Sequence, residues 1–146
     1  MSVTVAEAQK LAKTWLFGRY VTNTAVTAVI DRRVANGRAP AGWPSPFGVY
    51  NLVSHRSNGA IGQPAISHTM IWQAELIAEG ESTVPINDAA DALEGSLDGA
   101  QETLAGGYFI ACKSLGGIPR PFSYDGDRVW SHIGIELEIM VLNGAG

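Results

Sequence analysis

From Val129 to Leu142 the chain alternates almost without a break. Val129, Ser131, Ile133, Ile135, Leu137, Ile139 and Val141 take the odd positions, and His132, Glu136 and Glu138 fall between them. Side chains along a strand point to opposite faces with a period of two. A ribbon of about fourteen residues with this pattern therefore offers one face to a core and the other to water or to a partner. Such clean alternation is typical of antiparallel sheets. Asp125-Gly126, just ahead of it, is a hairpin turn signal. The rest of the chain has to fold so that this ribbon is covered on one side.

Three segments carry helical spacing. Thr4-Val5-Ala6-Glu7 has the pattern of a capping box, in which a threonine oxygen accepts from a backbone N–H three residues on. Val5, Ala8, Leu11, Ala12, Trp15 and Leu16 then recur at helical steps and predict a helix over about 5–17. Asn23 or Thr24 caps a second helix over about 24–32. Asn87 or Asp88 caps a third over about 87–100, striped by Ala90, Leu93, Leu97 and Ala100. Strands are predicted at about 47–56, 68–79, 108–115 and 129–142. The segment 36–46 holds three prolines and two glycines and reads as a loop, as does 57–64. The expected architecture is one α+β domain spanning residues 1–146: a four-stranded, mainly antiparallel sheet with the helices packed on one face. The face that carries Glu136 and Glu138 is left to solvent or to an interface.

Composition narrows the function. With a net charge of -4 and only the short run Asp31-Arg32-Arg33 as a basic candidate, the chain lacks the concentrated positive face that tight nucleic-acid binding needs. A single cysteine, Cys112, allows no internal disulfide and no thiolate metal cluster, which suits an intracellular setting. The start of the chain has no secretory pattern, and no apolar run approaches membrane-spanning length.

No reactive constellation stands out. G-x-S-x-G is absent, and Cys112 sits inside a strand pattern and reads as a buried thiol. His55, His68 and His132 lie on three predicted strands that could gather them with Glu136. No H-x-H or H-E-x-x-H spacing anchors a metal there. Gly106-Gly107 and Gly116-Gly117 read as turns, not phosphate cradles. No cofactor, no metal and no catalysis are expected. The aromatic residues are more informative: Trp43, Phe47, Tyr124 and Trp130 sit at loop bases, where such rings serve as core plugs or as interface anchors. Together with Ile61 they are the candidate interface residues.

The segments Pro46-Phe47-Gly48-Val49-Tyr50-Asn51-Leu52-Val53 and Ala89-Ala90-Asp91-Ala92-Leu93-Glu94-Gly95-Ser96-Leu97-Asp98-Gly99 resemble the tail terminator, or tail-completion, proteins of long-tailed bacteriophages. So does the ending Tyr124-Asp125-Gly126-Asp127-Arg128-Val129-Trp130 that runs into Ile133-Gly134-Ile135-Glu136-Leu137-Glu138-Ile139. The similarity covers about residues 5–142. It implies a virion protein of the neck, assembled in the host cytoplasm. Such a protein forms a ring, commonly a hexamer, that caps the tail tube and joins it to the head connector while DNA passes through the lumen. The implied partners are other copies of the chain, the tail-tube protein and the head-completion or stopper protein. Two other readings stay open: a different head-tail connector or minor tail subunit, and a small cytosolic enzyme or ligand-binding domain that uses the sheet face with His132 and Glu136.

Overall fold

The structure is a computed structural model that describes residues 3–59, 67–119 and 121–143. The described elements run α1 (Val5–Val21), α2 (Thr24–Ile30), β1 (Val34–Asn36), β2 (Phe47–Asn58), β3 (Ser67–Glu79), α3 (Val84–Leu97), β4 (Gln101–Thr103), β5 (Tyr108–Ile118), β6 (Ser123–Asp125) and β7 (Arg128–Asn143).

The four-stranded, mainly antiparallel sheet expected from the sequence is overturned. The described residues form a 7-stranded mixed sheet in the order β1-β2-β3-β7-β5-β4, with β6 also on β7. The missed strands β1, β4 and β6 have 3 residues each, too few for an alternation to register. β1 runs parallel to β2, pairing Val34 with Gly48 and Asn36 with Tyr50. Parallel neighbours need a crossover, not a hairpin. The Pro-rich segment 37–46 is that crossover. It is tied down at both ends: the Gly37 N–H donates to the Tyr50 carbonyl at 2.9 Å, and at the far end Arg33 Nε donates to the Pro44 and Pro46 carbonyls at 3.1 and 3.2 Å and the Glu79 backbone N–H donates to Ser45 Oγ at 2.8 Å. Arg33, part of the only basic run, is thereby committed to structure.

Local chemistry explains the helices. Thr4 Oγ1 accepts from the Glu7 N–H at 3.1 Å and starts α1. Asn23 Oδ1 accepts from the Ala25 and Val26 N–H groups and starts α2, while its Nδ2 donates to the Ala92 carbonyl of α3. α3 begins at Val84, earlier than the expected Asn87 or Asp88 cap, because Pro85 fits the first turn, where its missing N–H costs nothing.

One face of the sheet receives the helices. Met70, Trp72, Ala74 and Leu76 of β3 join Ile135, Leu137, Ile139 and Val141 of β7 in a buried cluster with Leu16, Tyr20, Ile30, Ile86 and Leu93. β7 pairs with β3 along almost its whole length, from Trp130 opposite Glu79 to Leu142 opposite Ser67. In β2 the register slips between Leu52 and Ser54, a bulge that leaves Val53 without an opposite residue and 53% exposed. Side chains after the bulge change face: Tyr50 and Leu52 point toward the helices before it, and His55 and Ser57 do so after it.

Candidate functional site

The second face of the sheet carries Phe47, Val49, Ile77, Trp130, His132 and Glu136, and the crossover folds over its upper end. Trp43 and Phe47 pack edge-to-face with ring centroids 6.2 Å apart, and Phe47 meets Trp130 at 5.8 Å. Arg128 lays its guanidinium 4.6 Å from the Trp130 ring centroid and holds Glu79 in a forked pair at 3.1 and 2.8 Å. Among the candidate interface residues, Trp43, Phe47 and Trp130 are thus half-buried and share one aromatic row, whereas Tyr124 stands apart, 69% exposed on β6. Ile61 lies outside the described residues.

Beside this row is an open hollow of about 340 Å³, lined in part by Phe47, Ile77, Trp130 and Arg38. Its polar wall is Glu75, His132 and Ser123. Ser123 comes from β6, placed against β7 by the two-residue turn Gly126-Asp127, in which Gly126 takes a φ of 61°. Ser123 Oγ lies 2.8 Å from His132 Nε2. On the other side of the imidazole, Nδ1 stands 3.7 Å from Glu75 Oε1. Glu75 is only 7% exposed although it is on this face. It lies opposite Gly134 in the register, and a Cβ added at residue 134 would stand 3.5 Å from Glu75 Cγ, so the glycine leaves room for the carboxylate arm. Behind it, the Tyr20 hydroxyl meets the carbonyls of both Val49 and Glu75, at 3.1 and 3.2 Å, tying β2 to β3 at this level. Burial pushes that phenol well above its usual range.

The carboxylate beside His132 is therefore Glu75, not Glu136. Glu136 is opposite Gln73 in the β3–β7 register, four residues beyond His132 along β7. Neither Glu75 nor Ser123 was singled out from the sequence. The available signal for Glu75 was a carboxylate inside the apolar run Ala74 to Ala78; for Ser123 there was only its place just before a hairpin turn.

The other two histidines are elsewhere. His55 and His68 meet on the helix-bearing face, with Nε2 of the first 2.8 Å from Nδ1 of the second. The Val3 carbonyl accepts from His68 Nε2, which fixes the proton on that nitrogen. His68 Nδ1 is then an acceptor, so His55 Nε2 donates to it, and Gln9 Nε2 donates to His55 Nδ1 at 3.0 Å. Burial, and after it the neighbouring His68, hold His55 below the usual imidazole range. The imagined gathering of three histidines with Glu136 does not occur, because the bulge in β2 sends His55 to the opposite face from His132. Among the described residues, no group of three His, Cys, Asp or Glu side chains is placed to hold a metal ion. Cys112 is buried, which pushes its thiol up to about 12.

Comparison with protein-family models and with curated proteins finds no match to the chain.

Proposed function

We propose that this protein is a ring-forming structural component of a bacteriophage neck, a tail terminator that caps the tail tube and joins it to the head connector. The observation that carries the reading is the placement of large exposed apolar side chains at both lateral margins of the sheet. Val53 (53% exposed) stands at the β2 margin, and Leu115, Phe122 and Tyr124 (42, 45 and 69%) stand at or beside the β5–β6 margin. Unlike patches on opposite sides of one subunit suit head-to-tail contacts, and such contacts close into a ring when the rotation permits. The resemblance of the segments around Phe47, Leu97 and Ile133 to tail terminators supplies the biological setting. The tail-tube and head-completion proteins are the proposed neighbours and the virion neck the proposed location. An acidic chain with a net charge of -4 suits a lumen through which DNA slides without being gripped.

Native mass spectrometry of the intact protein, followed by imaging of the assembled particle, tests this. A closed oligomer, six copies in the simplest case, that shifts toward monomer in Tyr124→Asp or Val53→Asp supports it, as does density at the head end of the tail. A protein that remains monomeric at high concentration and in the presence of tail tubes overturns it. Density elsewhere in the tail assigns the chain to another connector or minor tail position.

A further inference from the structure

The group on the second face does more than fill a surface. A serine oxygen within hydrogen-bond distance of one imidazole nitrogen, with a buried carboxylate facing the other, is the arrangement by which a hydroxyl is made nucleophilic, and it recurs on unrelated folds. We propose that Ser123, His132 and Glu75 form a hydrolytic site for small carboxylic esters, an activity beyond the assembly role.

Four observations carry this. Ser123 Oγ to His132 Nε2 is 2.8 Å, and His132 Nδ1 to Glu75 Oε1 is 3.7 Å, the loose spacing common before a substrate is bound. The three residues sit on three strands, β6, β7 and β3, which the hairpin turn and the β3–β7 register bring side by side on one face. The hollow in front of them, about 340 Å³, falls in the size range of small-molecule sites. Its walls supply an apolar bed (Phe47, Ile77, Trp130), and the cationic residue Arg38 also lines it.

The chemistry balances within these groups. With Nδ1 protonated and facing Glu75, Nε2 is free to accept. Ser123 Oγ adds to the ester carbonyl carbon as its proton passes to Nε2. The resulting imidazolium is held by the Glu75 carboxylate, and the oxyanion is met by Arg38. Collapse breaks the bond to the alkoxy group, which leaves as the alcohol with the proton from Nε2. Water, deprotonated by the same nitrogen, then splits the acyl-Ser123 ester and releases the acid. No oxidant, metal or second substrate is required. Glu75 acts as a positioning residue, and the bed of Phe47 and Trp130 selects esters with an aromatic or short aliphatic part.

The test uses the intact protein and 4-nitrophenyl butyrate. The wild type is expected to turn over well above the buffer rate. Ser123→Ala and His132→Ala are each expected to lower kcat/KM by at least about 100-fold. Ser123 is exposed, so its alanine variant keeps the fold, which circular dichroism verifies. Glu75→Gln should lower kcat and displace the pH–rate profile, whereas Glu75→Asp should restore part of the rate; a merely structural glutamate would do neither. A fluorophosphonate probe should become bonded through phosphorus to Ser123 with loss of fluoride, as peptide mapping would show. A Ser123→Ala rate equal to that of the wild type, or probe absent from Ser123, overturns the proposal. The outcome is separable from the assembly reading: a monomer that hydrolyses the ester removes only the ring, and a ring without turnover removes only the site.

Discussion

Two histidine groups occupy opposite faces of the same sheet, and they differ in what the fold has left undone. In the pair His55–His68, all four ring nitrogens have partners within the chain: Gln9, each other, Ser57 and the Val3 carbonyl. Its hydrogen-bonding capacity is spent on holding the start of the chain and α1 against β2 and β3. The group around His132 has one short hydrogen bond, one wider gap to a buried carboxylate, and a hollow before it. Residue type is the same in both. What separates a structural histidine from a chemically available one is whether the surrounding fold has already used its nitrogens.

The strongest way to break that comparison is to remove each ring in turn. His68→Ala takes a side chain that is 1% exposed and leaves the Val3 carbonyl and the His55 N–H without partners, so a stability loss of about 3 kcal/mol is expected. His132→Ala should cost within about 1 kcal/mol. Urea midpoints at unchanged slope measure both; equal losses would show that the two groups are structural alike.

A smaller effect sharpens the contrast. A Cβ on Gly48 would lie 2.8 Å from Tyr20 Cε1, and Tyr20 is the post that ties β2 to β3 at the level of Glu75. Gly48→Ala should destabilise by about 2 kcal/mol. It should also move the NMR signals of His132 while those of His55 and His68 stay in place. Movement of all three would mean that the faces are not mechanically separate.

The smallest effect is on pH dependence. The imidazole of His55 is held below its ordinary 6.5 by burial and then by His68, so the unfolded chain binds more protons than the folded one. The contribution of His55 to stability is complete above the ordinary value and is lost as pH falls through the depressed one. The urea midpoint should therefore decline on acidification below about 6.5, and His55→Gln should flatten that decline. An unchanged slope in the variant would remove His55 from the account.

Much of the frame was open to reading along the chain. The period of two in Arg128–Asn143, the Thr4 and Asn23 caps, the apolar stripe of α3 and the Gly126 turn are each written within a few residues of one another. The mixed sheet was not, because β1, β4 and β6 acquire their identity only from the neighbours they pair with. The candidate site was legible only in part. His132 was visible as a polar residue on an alternating strand, but the nearer acid, Glu75, is more than fifty residues away in sequence. Alternation counted forward from Phe47 puts His55 on the same face as Val49; the single unpaired residue Val53 reverses it.

The sequence alone determined where helices and long strands form and which side of each is apolar, since those depend on interactions among residues one to four places apart. The tertiary structure alone decided the parallel edge, the face on which each histidine emerges, and the meeting of Ser123, His132 and Glu75. These follow from register and bulges between strands distant in the chain, and a shift of one residue in register turns every side chain beyond it to the other face.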